Sequence, residues 1–350
     1  MVHAWATDED DETVQPRWGK IGKQKFEDTG PLTVERIKTF DKECLDASTD
    51  FIKRSVDDDK PFFVWHNTTR MHAYTQISDD IRGQSGLWQS EYHDGMIEHD
   101  QHVGVLLDQL DELGVADNTI VLYSTDNGPH RNTYPDCGTT WFRSEKDTNW
   151  EGAFRVPCLL KWPGMVEPGS VCNDIVSSHD WLPTFLNAAG EPDVVEKLKK
   201  GYEAYGKTYN VHVDGYDMVP YLSGEAEEHS RPGFLYFSDD GDILAMRYNN
   251  WKLVFMEQEV KGTLYLWMYP FTTLRTPKIF NLRTDPFEFA DITSNTYYDS
   301  ILRHEFLFVP AQKLVGDFLK TFEEFPPRQK AASFSLDQVL EKLQSGVGSK

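Results

Sequence analysis

The sequence predicts an α/β fold with two domains. Apolar runs of strand length alternate with helical periodicities up to Gly190, which is the pattern of a layered α/β architecture. After residue 232 the pattern changes to short strands separated by turn residues, and this favours a small antiparallel sheet. A chain of 350 residues can bury two cores. We therefore expect an α/β domain over 1–232 and an α+β subdomain over 233–350.

Residues 1–65 are predicted to contain one helix and one strand. Residues 1–30 mix charges with turn formers and are predicted to be an irregular loop. Apolar residues at helical spacing predict a helix over 33–56, with Thr33 as its N-cap. The run Pro61–Trp65 is wholly apolar, as expected of a strand that is buried on both faces.

The middle of the chain alternates helices with strands. A helix is predicted over 91–113, where Gly114 supplies the stop. Two apolar runs, 119–124 and 156–160, are predicted to be strands, and 180–189 is predicted to be a helix. This alternation is what predicts helices layered on a sheet.

The C-terminal part is predicted to form an antiparallel sheet with a helix. The short strands predicted here are Phe234–Phe237, Ile243–Tyr248, Trp251–Met256 and Tyr265–Met268. Asp239-Asp240-Gly241 lies between two of these strands and is predicted to be a hairpin turn. Helical periodicity follows over 310–324, and a last helix is predicted over 336–344.

Composition and charge exclude some classes of partner. The formal net charge is −22, which argues against nucleic acid, because phosphate binding requires a basic face. No apolar run is long enough to cross a bilayer, so no membrane partner is expected. The N-terminus lacks a basic segment followed by an apolar one, so it is not a signal peptide, and the compartment is left open.

The four cysteines show no metal-binding spacing. Cys44 falls on the apolar face of a predicted helix and Cys158 in a predicted buried strand, so both are expected to be packed thiols. Cys137 and Cys172 fall in predicted loops, where they could pair or remain free.

The most informative segment begins where the strand over 119–124 ends. Asp126-Asn127-Gly128 follows that strand, and a polar loop then carries Lys146 before the next apolar run. Ligands of open α/β proteins bind at the carboxyl edge of the sheet. Hard oxygen ligands at that edge, with an ammonium group nearby, suit a metal-bound anion. Asp-Asn-Gly alone is also ordinary turn chemistry, but the two segments in this order between two strands are far more specific.

This arrangement resembles the sulfatase family, the sulfate-ester hydrolases of the alkaline phosphatase superfamily. The resemblance implies that Asp126 and Asn127 coordinate calcium, with magnesium as the alternative, and that Lys146 contacts the sulfate. Lys146 begins a segment similar to the family's K-x-T-x-x-E-G-x-x-R, which Thr148, Glu151, Gly152 and Arg155 complete.

The resemblance continues on both sides of that segment. Pro61–His72 is similar to the family strand whose loop carries an active-site histidine, which implies that His72 binds the sulfate oxygens. Ile279–Leu282, with Asp285-Pro286 and Glu288, is similar to the family's LYDL-x-x-DP-x-E element. The fold implied is an incomplete alkaline-phosphatase-like α/β/α sandwich with a small C-terminal antiparallel sheet plus helix.

Other features of the family are absent from this sequence. There is no Cys-x-Pro-x-Arg or Ser-x-Pro-x-Arg motif, whose first residue the family oxidises to formylglycine; Ser230–Phe234 has Phe at the position of the Arg. The family's paired Asp after a first strand is also missing. We therefore expect the chain to resemble the C-terminal part of such an enzyme, to bind metal weakly and to show no turnover by itself.

The function implied is hydrolysis of sulfate monoesters, on a sulfated small molecule or a sulfated glycan. The alternatives are a phosphate or phosphonate ester hydrolase of the same superfamily, a non-catalytic module that binds sulfated glycans, and the product of a truncated reading frame. Incomplete sheets expose strand edges, so we expect the chain to associate with a missing N-terminal part or with itself.

Overall fold

The computed structural model describes residues 1–15, 19–131, 133–228 and 231–327. It divides into two compact units, of which the first covers Met1–Ala116 and the second begins at Asp117. The domain boundary predicted at 232 falls inside the second unit and stays a prediction. The helix predicted over 336–344 lies outside the described residues.

The helices of the described residues are mostly short. They are α1 Val34–Asp57, α2 Glu91–Glu112, α3 Glu151–Phe154, α4 Trp181–Ala188, α5 Val194–Lys200, α6 Val219–Leu222, α7 Tyr265–Met268, α8 Ala290–Thr293, α9 Tyr297–Arg303 and α10 Phe308–Glu324. In the described part of the chain, none of them combines the length and the apolarity that a membrane-spanning helix needs.

The strands of the described residues pair antiparallel throughout. They are β1 Val2–Gln15, β2 Gly19–Asp28, β3 Val121–Ser124, β4 Cys158–Lys161, β5 Tyr202–Ala204, β6 Lys207–Tyr209, β7 Gly233–Phe237, β8 Ile243–Tyr248, β9 Trp251–Glu257 and β10 Thr272–Asn281.

The first unit contains both long helices that the periodicity predicts. Thr33 is the N-cap of α1, and its hydroxyl accepts a hydrogen bond from the Arg36 N–H at 3.2 Å. Asp41 of α1 is fully buried and accepts from the backbone N–H of Arg70 at 3.0 Å. The Arg70 guanidinium in turn forms a buried ion pair with Glu98 of α2. These polar contacts join α1, α2 and the segment between them.

Residues 1–30 are not an irregular loop, and this prediction is wrong. Most of them form the hairpin β1–β2, in which Asp10 lies opposite Lys23 and Trp5 opposite Lys25. The side chains described on both strands are almost all exposed or half-buried. A two-stranded hairpin with no buried face does not need apolar residues at every second position. The alternation by which a strand is recognised is therefore missing from its sequence. Backbone pairing between the two strands holds it instead.

The buried strand predicted over Pro61–Trp65 is also wrong. None of the described sheets includes this segment, and the Phe63 and Trp65 side chains are 68% and 79% exposed. An apolar run forms a strand only where a neighbouring backbone receives its hydrogen bonds. The run therefore adds exposed apolar surface to the first unit.

The second unit is built around a four-stranded sheet of order β10-β9-β8-β7. Three of its strands match the predicted ones, but the predicted strand Tyr265–Met268 is the one-turn helix α7, and the fourth strand is β10. The aromatic residues of α7 favour strands by propensity, but tertiary contacts override that preference. The predicted turn at Asp239-Asp240-Gly241 is confirmed, with Gly241 at φ +88°.

A smaller pair, β3–β4, leads to the motif of interest. Leu122 lies opposite Leu160, and Ser124 lies opposite Cys158. Cys158 is exposed and not buried as predicted; among the described residues β4 pairs with β3 alone. All four cysteines are free, and Cys137 is buried whereas Cys172 is exposed.

Candidate functional site

The Asp-Asn-Gly turn directly follows β3. Asp126 is exposed, Asn127 is half-buried and Gly128 is buried. The Asn127 side-chain nitrogen donates to the Gly128 carbonyl at 2.9 Å. That bond uses the amide nitrogen and leaves the amide oxygen as the atom that can coordinate a cation. The turn thus offers one carboxylate and one amide oxygen from adjacent residues.

Two glycines fix this turn against the start of α3, which carries Glu151 and Gly152 of the second motif. The Gly128 N–H donates to the Ala153 carbonyl at 2.8 Å. A Cβ atom at Gly128 would lie 1.8 Å from the Gly152 carbonyl oxygen. A Cβ atom at Gly152 would lie 2.4 Å from the carbonyl oxygens of both Arg143 and Ser144. Both motif glycines are therefore required by close approach of backbones.

Lys146 lies beside the same turn. Its backbone N–H donates to the Pro129 carbonyl at 3.0 Å, which ties the lysine loop to the residue after Asp-Asn-Gly. Asp126, Asn127 and Lys146 all line one cleft of the second unit. The Lys146 ammonium lies 5.3 Å from the centre of the Trp267 ring. Sequence reasoning predicted these three residues as one site; all three line this cleft, and the shared site and its chemistry stay predictions.

The cleft is an open groove. Its volume of about 2830 Å³ exceeds the roughly 300–1,000 Å³ of a closed small-molecule pocket. An anion at Lys146 would therefore occupy only a small part of it. The rest of the groove is available to whatever group the anion is attached to.

A buried ion cluster supports the lysine loop from behind. Lys252 of β9 is fully buried, and its ammonium lies 3.0 Å from Glu151 and 2.7 Å from Glu288. Glu151 also accepts from the Tyr236 hydroxyl at 2.6 Å and pairs with Arg155 at 2.7 Å. Glu151 and Arg155 thus brace the loop.

The pKa values of the two carboxyl groups of this cluster shift in opposite directions. Burial raises their pKa values, but at Glu151 the charges of Lys252 and Arg155 more than offset burial, and the pKa falls below its ordinary value. At Glu288 burial prevails over Lys252 and the pKa is raised. The Glu151 backbone N–H donates to Glu288 at 2.6 Å. The Glu288 of the Asp-Pro-x-Glu element is therefore joined directly to the lysine segment.

Asp147 is a residue of the cleft that sequence reasoning missed. Its backbone has φ +68°, and its Oδ2 atom is buried without a hydrogen-bond partner in the described residues. Burial raises the pKa of this carboxyl to about 6; Lys146 opposes the rise and Asp239 adds to it. The only signal in the sequence was its position next to Lys146. The burial of its carboxyl group cannot be predicted from the neighbouring residues in the sequence.

His72 lies in the first unit, in the turns that follow the exposed Pro61–Trp65 run. Its backbone N–H donates to the Thr69 carbonyl at 3.3 Å. The residues Met71 and Tyr74 on either side have positive φ values of 70° and 56°. The predicted contact of His72 with sulfate stays a prediction.

The donor set at the turn fits a hard divalent cation in part. Asp126 and Asn127 supply the oxygen ligands that calcium prefers, but they are two of about six to eight. Among the described residues, no group of three or more His, Cys, Asp or Glu side chains is arranged to hold a metal ion. The residues therefore fit calcium as a partial ligand set.

The chain is similar in sequence to known sulfatases. An arylsulfatase of Hemicentrotus pulcherrimus is 31% identical over 203 residues, which are 58% of this chain and 33% of that protein. Arylsulfatase A of Homo sapiens is 32% identical over 207 residues, which are 57% of this chain and 37% of that protein. The chain spans about a third of the length of these relatives.

The fold comparison agrees. The crystal structure of the PsFucS1 sulfatase from Pseudoalteromonas sp. matches with a TM-score of 0.73 and 27% identity, over 86% of this chain and 57% of that one. This confirms the predicted fold class, an alkaline-phosphatase-like α/β chain with a small C-terminal antiparallel sheet and helix. The family profile described as Sulfatase matches residues 4–191, more than half of the sequence. The chain therefore belongs to the sulfatase family.

Proposed function

We propose that this chain carries part of the active site of an arylsulfatase-like enzyme that hydrolyses sulfate monoesters with a divalent metal. The observation that carries the proposal is the shared cleft of Asp126, Asn127 and Lys146, in which the lysine loop is hydrogen-bonded to Pro129. The substrate would be a sulfated small molecule or a sulfated glycan. The net charge of −22 is no obstacle, because a cation and a few positive groups can reverse the potential locally.

Each residue has a defined role in this proposal. The Lys146 ammonium donates hydrogen bonds to the sulfate oxygens and stabilises charge on the leaving oxygen, as preorganised donors do in a reacting site. Asp126 and Asn127 would hold calcium, or magnesium, which supplies Lewis-acid stabilisation of the sulfate charge. His72 would donate to sulfate oxygens. Glu151, with Lys252 behind it, keeps the lysine loop in place.

Binding of inorganic sulfate to the full chain tests the role of Lys146. We expect calorimetry in calcium buffer to detect sulfate binding that Lys146→Met abolishes. Lys207→Met is the matched control, because Lys207 is exposed on β6 and does not line the cleft. Equal sulfate affinity in the two variants would refute the proposal. Tighter binding of phosphate than of sulfate would favour the phosphate-ester alternative instead.

Calcium binding and turnover give a second test. We expect calcium affinity weaker than micromolar, since the described chain supplies a partial ligand set, and we expect Asp126→Ala to weaken it further. Asp136→Ala is the control, because Asp136 is exposed and outside the cleft. We also expect no release of 4-nitrophenol from 4-nitrophenyl sulfate, because the sequence contains no formylglycine motif. Robust release would contradict that expectation.

A further inference from the structure

The segment between β9 and β10 presents an unusual apolar surface. We call residues 258–271 the aromatic loop. Tyr265, Trp267, Met268 and Tyr269 of this loop are 53%, 52%, 72% and 54% exposed, whereas Leu266 between them is buried and anchors the turn. Large apolar side chains exposed together mark a binding surface more often than singly exposed ones do.

The aromatic loop lies against the predicted sulfate-binding residue. Trp267 and Lys146 both line the cleft, and the ammonium is 5.3 Å from the ring centre. The His130 ring is 6.2 Å from the same indole. A cation–π contact at an exposed site is weak. It involves Trp267 alone and leaves the exposure of the other three large side chains without an explanation.

Buried amide groups fix the aromatic loop in position. Gln258 is 4% exposed, and its side-chain nitrogen donates to the carbonyl of Tyr269 at 3.0 Å. Its backbone N–H donates to the side-chain oxygen of Asn149 at 2.9 Å. Asn149 is fully buried and lies three residues after Lys146. The loop and the lysine are therefore held by one hydrogen-bonded unit, which is the preorganisation that a recognition site needs.

We infer that Trp267 is a specificity-determining residue, whose indole stacks on the ring of a sulfated sugar unit while the ester of that unit lies at Lys146. The inference rests on the proposed function. A pyranose ring has an apolar C–H face that suits an aromatic plane, and its hydroxyl groups need acceptors. The carboxylates of Asp147 and Asp239 line the same cleft.

Affinity electrophoresis of the full chain tests this inference. The chain is run with calcium through gels that contain sulfated galactan, sulfated fucan or chondroitin sulfate, with desulfated forms as controls. A net charge of −22 opposes non-specific retention by a polyanion. We expect at least one sulfated polymer to retard the chain, and Trp267→Ala to weaken that binding about tenfold, since a Trp side chain that a ligand covers on binding is typically a hot spot.

Two further variants make the result specific. Trp267→Phe keeps an aromatic plane and should retain most of the affinity. Trp141→Ala should change nothing, because Trp141 is 83% exposed and does not line the cleft. The inference is overturned if no sulfated polymer retards the chain, or if the two alanine variants behave alike. It is also overturned if Trp267→Ala leaves polymer binding unchanged and alters only the sedimentation coefficient. That result would show that the aromatic loop is a self-association surface.

The Lys146→Met variant separates this inference from the proposed function. If that variant loses inorganic sulfate and Trp267→Ala still binds polymer normally, the inference fails while the proposed function stands. If inorganic sulfate binding does not depend on Lys146, both fail.

Discussion

Lys252 is a buried ammonium group that two carboxylates neutralise. It comes from β9, whereas Glu151 belongs to the lysine segment and Glu288 to the Asp-Pro-x-Glu element. Such clusters are retained at a cost in desolvation, and they bring little net stability while complete. Removing one partner is far more destabilising, because it leaves the other charge buried without a counter-charge. The cluster therefore fixes the position of the three segments that supply it.

We predict that Lys252→Met lowers the free energy of unfolding by about 3–5 kcal/mol, since it leaves buried carboxylates without their cation. Urea unfolding followed by fluorescence measures the change, and exposed Lys207→Met is the control. Adding Glu288→Gln to the first variant should restore part of the loss. An unchanged midpoint in Lys252→Met would show that the carboxylates are neutral or hydrated in the folded chain.

Asp147 gives a prediction about pH. Its pKa is raised from the ordinary 3.8 to about 6, mainly by burial, so between these values the folded chain holds a proton that the unfolded chain has released. Protonated Asp147 therefore makes its full contribution to the free energy of unfolding below pH 3.8. This contribution is lost as the pH rises through about 6. Relative to Asp147→Asn, the natural chain should lose stability over this range. Asparagine also tolerates the positive φ.

Urea unfolding at a series of pH values measures that difference. Asp136→Asn is the control, because Asp136 is exposed and should show no trend against the natural chain. A constant difference between the natural chain and Asp147→Asn from pH 4 to 7 would contradict the prediction.

At the scale of the elements, the close approach of two turns makes a sharp prediction. Gly128→Ala places a Cβ atom 1.8 Å from a carbonyl oxygen, so a backbone must move, and we expect a loss of about 3 kcal/mol. Gly316 in α10 has open space around its Cβ position, and Gly316→Ala should gain about 0.5–1 kcal/mol. Thermal unfolding of both variants checks the opposite signs; similar midpoints would refute the account of the turns.

Sequence patterns predicted those elements that have one covered face. The helix α1 is found where periodicity placed it, because one side of it is buried. The hairpin β1–β2 was missed because neither of its faces is buried. The helix α7 was missed because its strand-like composition is overridden by the anchoring of Leu266 and by hydrogen bonds from Gln258.

Some residues of the candidate site were predicted from the sequence and others were found only in the structure. Asp126, Asn127 and Lys146 were predicted because their order along the chain resembles a known pattern. Trp267 was not, because it follows Lys146 by more than a hundred residues and only the packing of β9 and β10 brings its ring to the ammonium. Asp147 was not, because its raised pKa comes from burial and from Asp239, which belongs to a distant turn.

At the scale of the whole molecule, exposed apolar side chains of the first unit predict association. Phe63, Trp65, Leu87 and Trp88 are 68%, 79%, 94% and 95% exposed, and apolar surface of this kind favours protein contacts. We expect sedimentation velocity to show concentration-dependent association, which Phe63→Ser with Trp65→Ser reduces. Tyr205→Asn, at an isolated exposed turn, is the control. A monodisperse monomer at every concentration would contradict this expectation.

The buried cluster of Glu151, Lys252 and Glu288 also limits how this chain can be recombined with its relatives. Glu151 lies before residue 232, whereas Lys252 and Glu288 lie after it. A fragment that ended at residue 232 would keep Glu151 and Arg155 and lose the buried ammonium group of Lys252. A chimera that imports a different C-terminal sheet would face the same mismatch. The lysine loop, β9 and the Asp-Pro-x-Glu element should therefore be exchanged together in such chimeras.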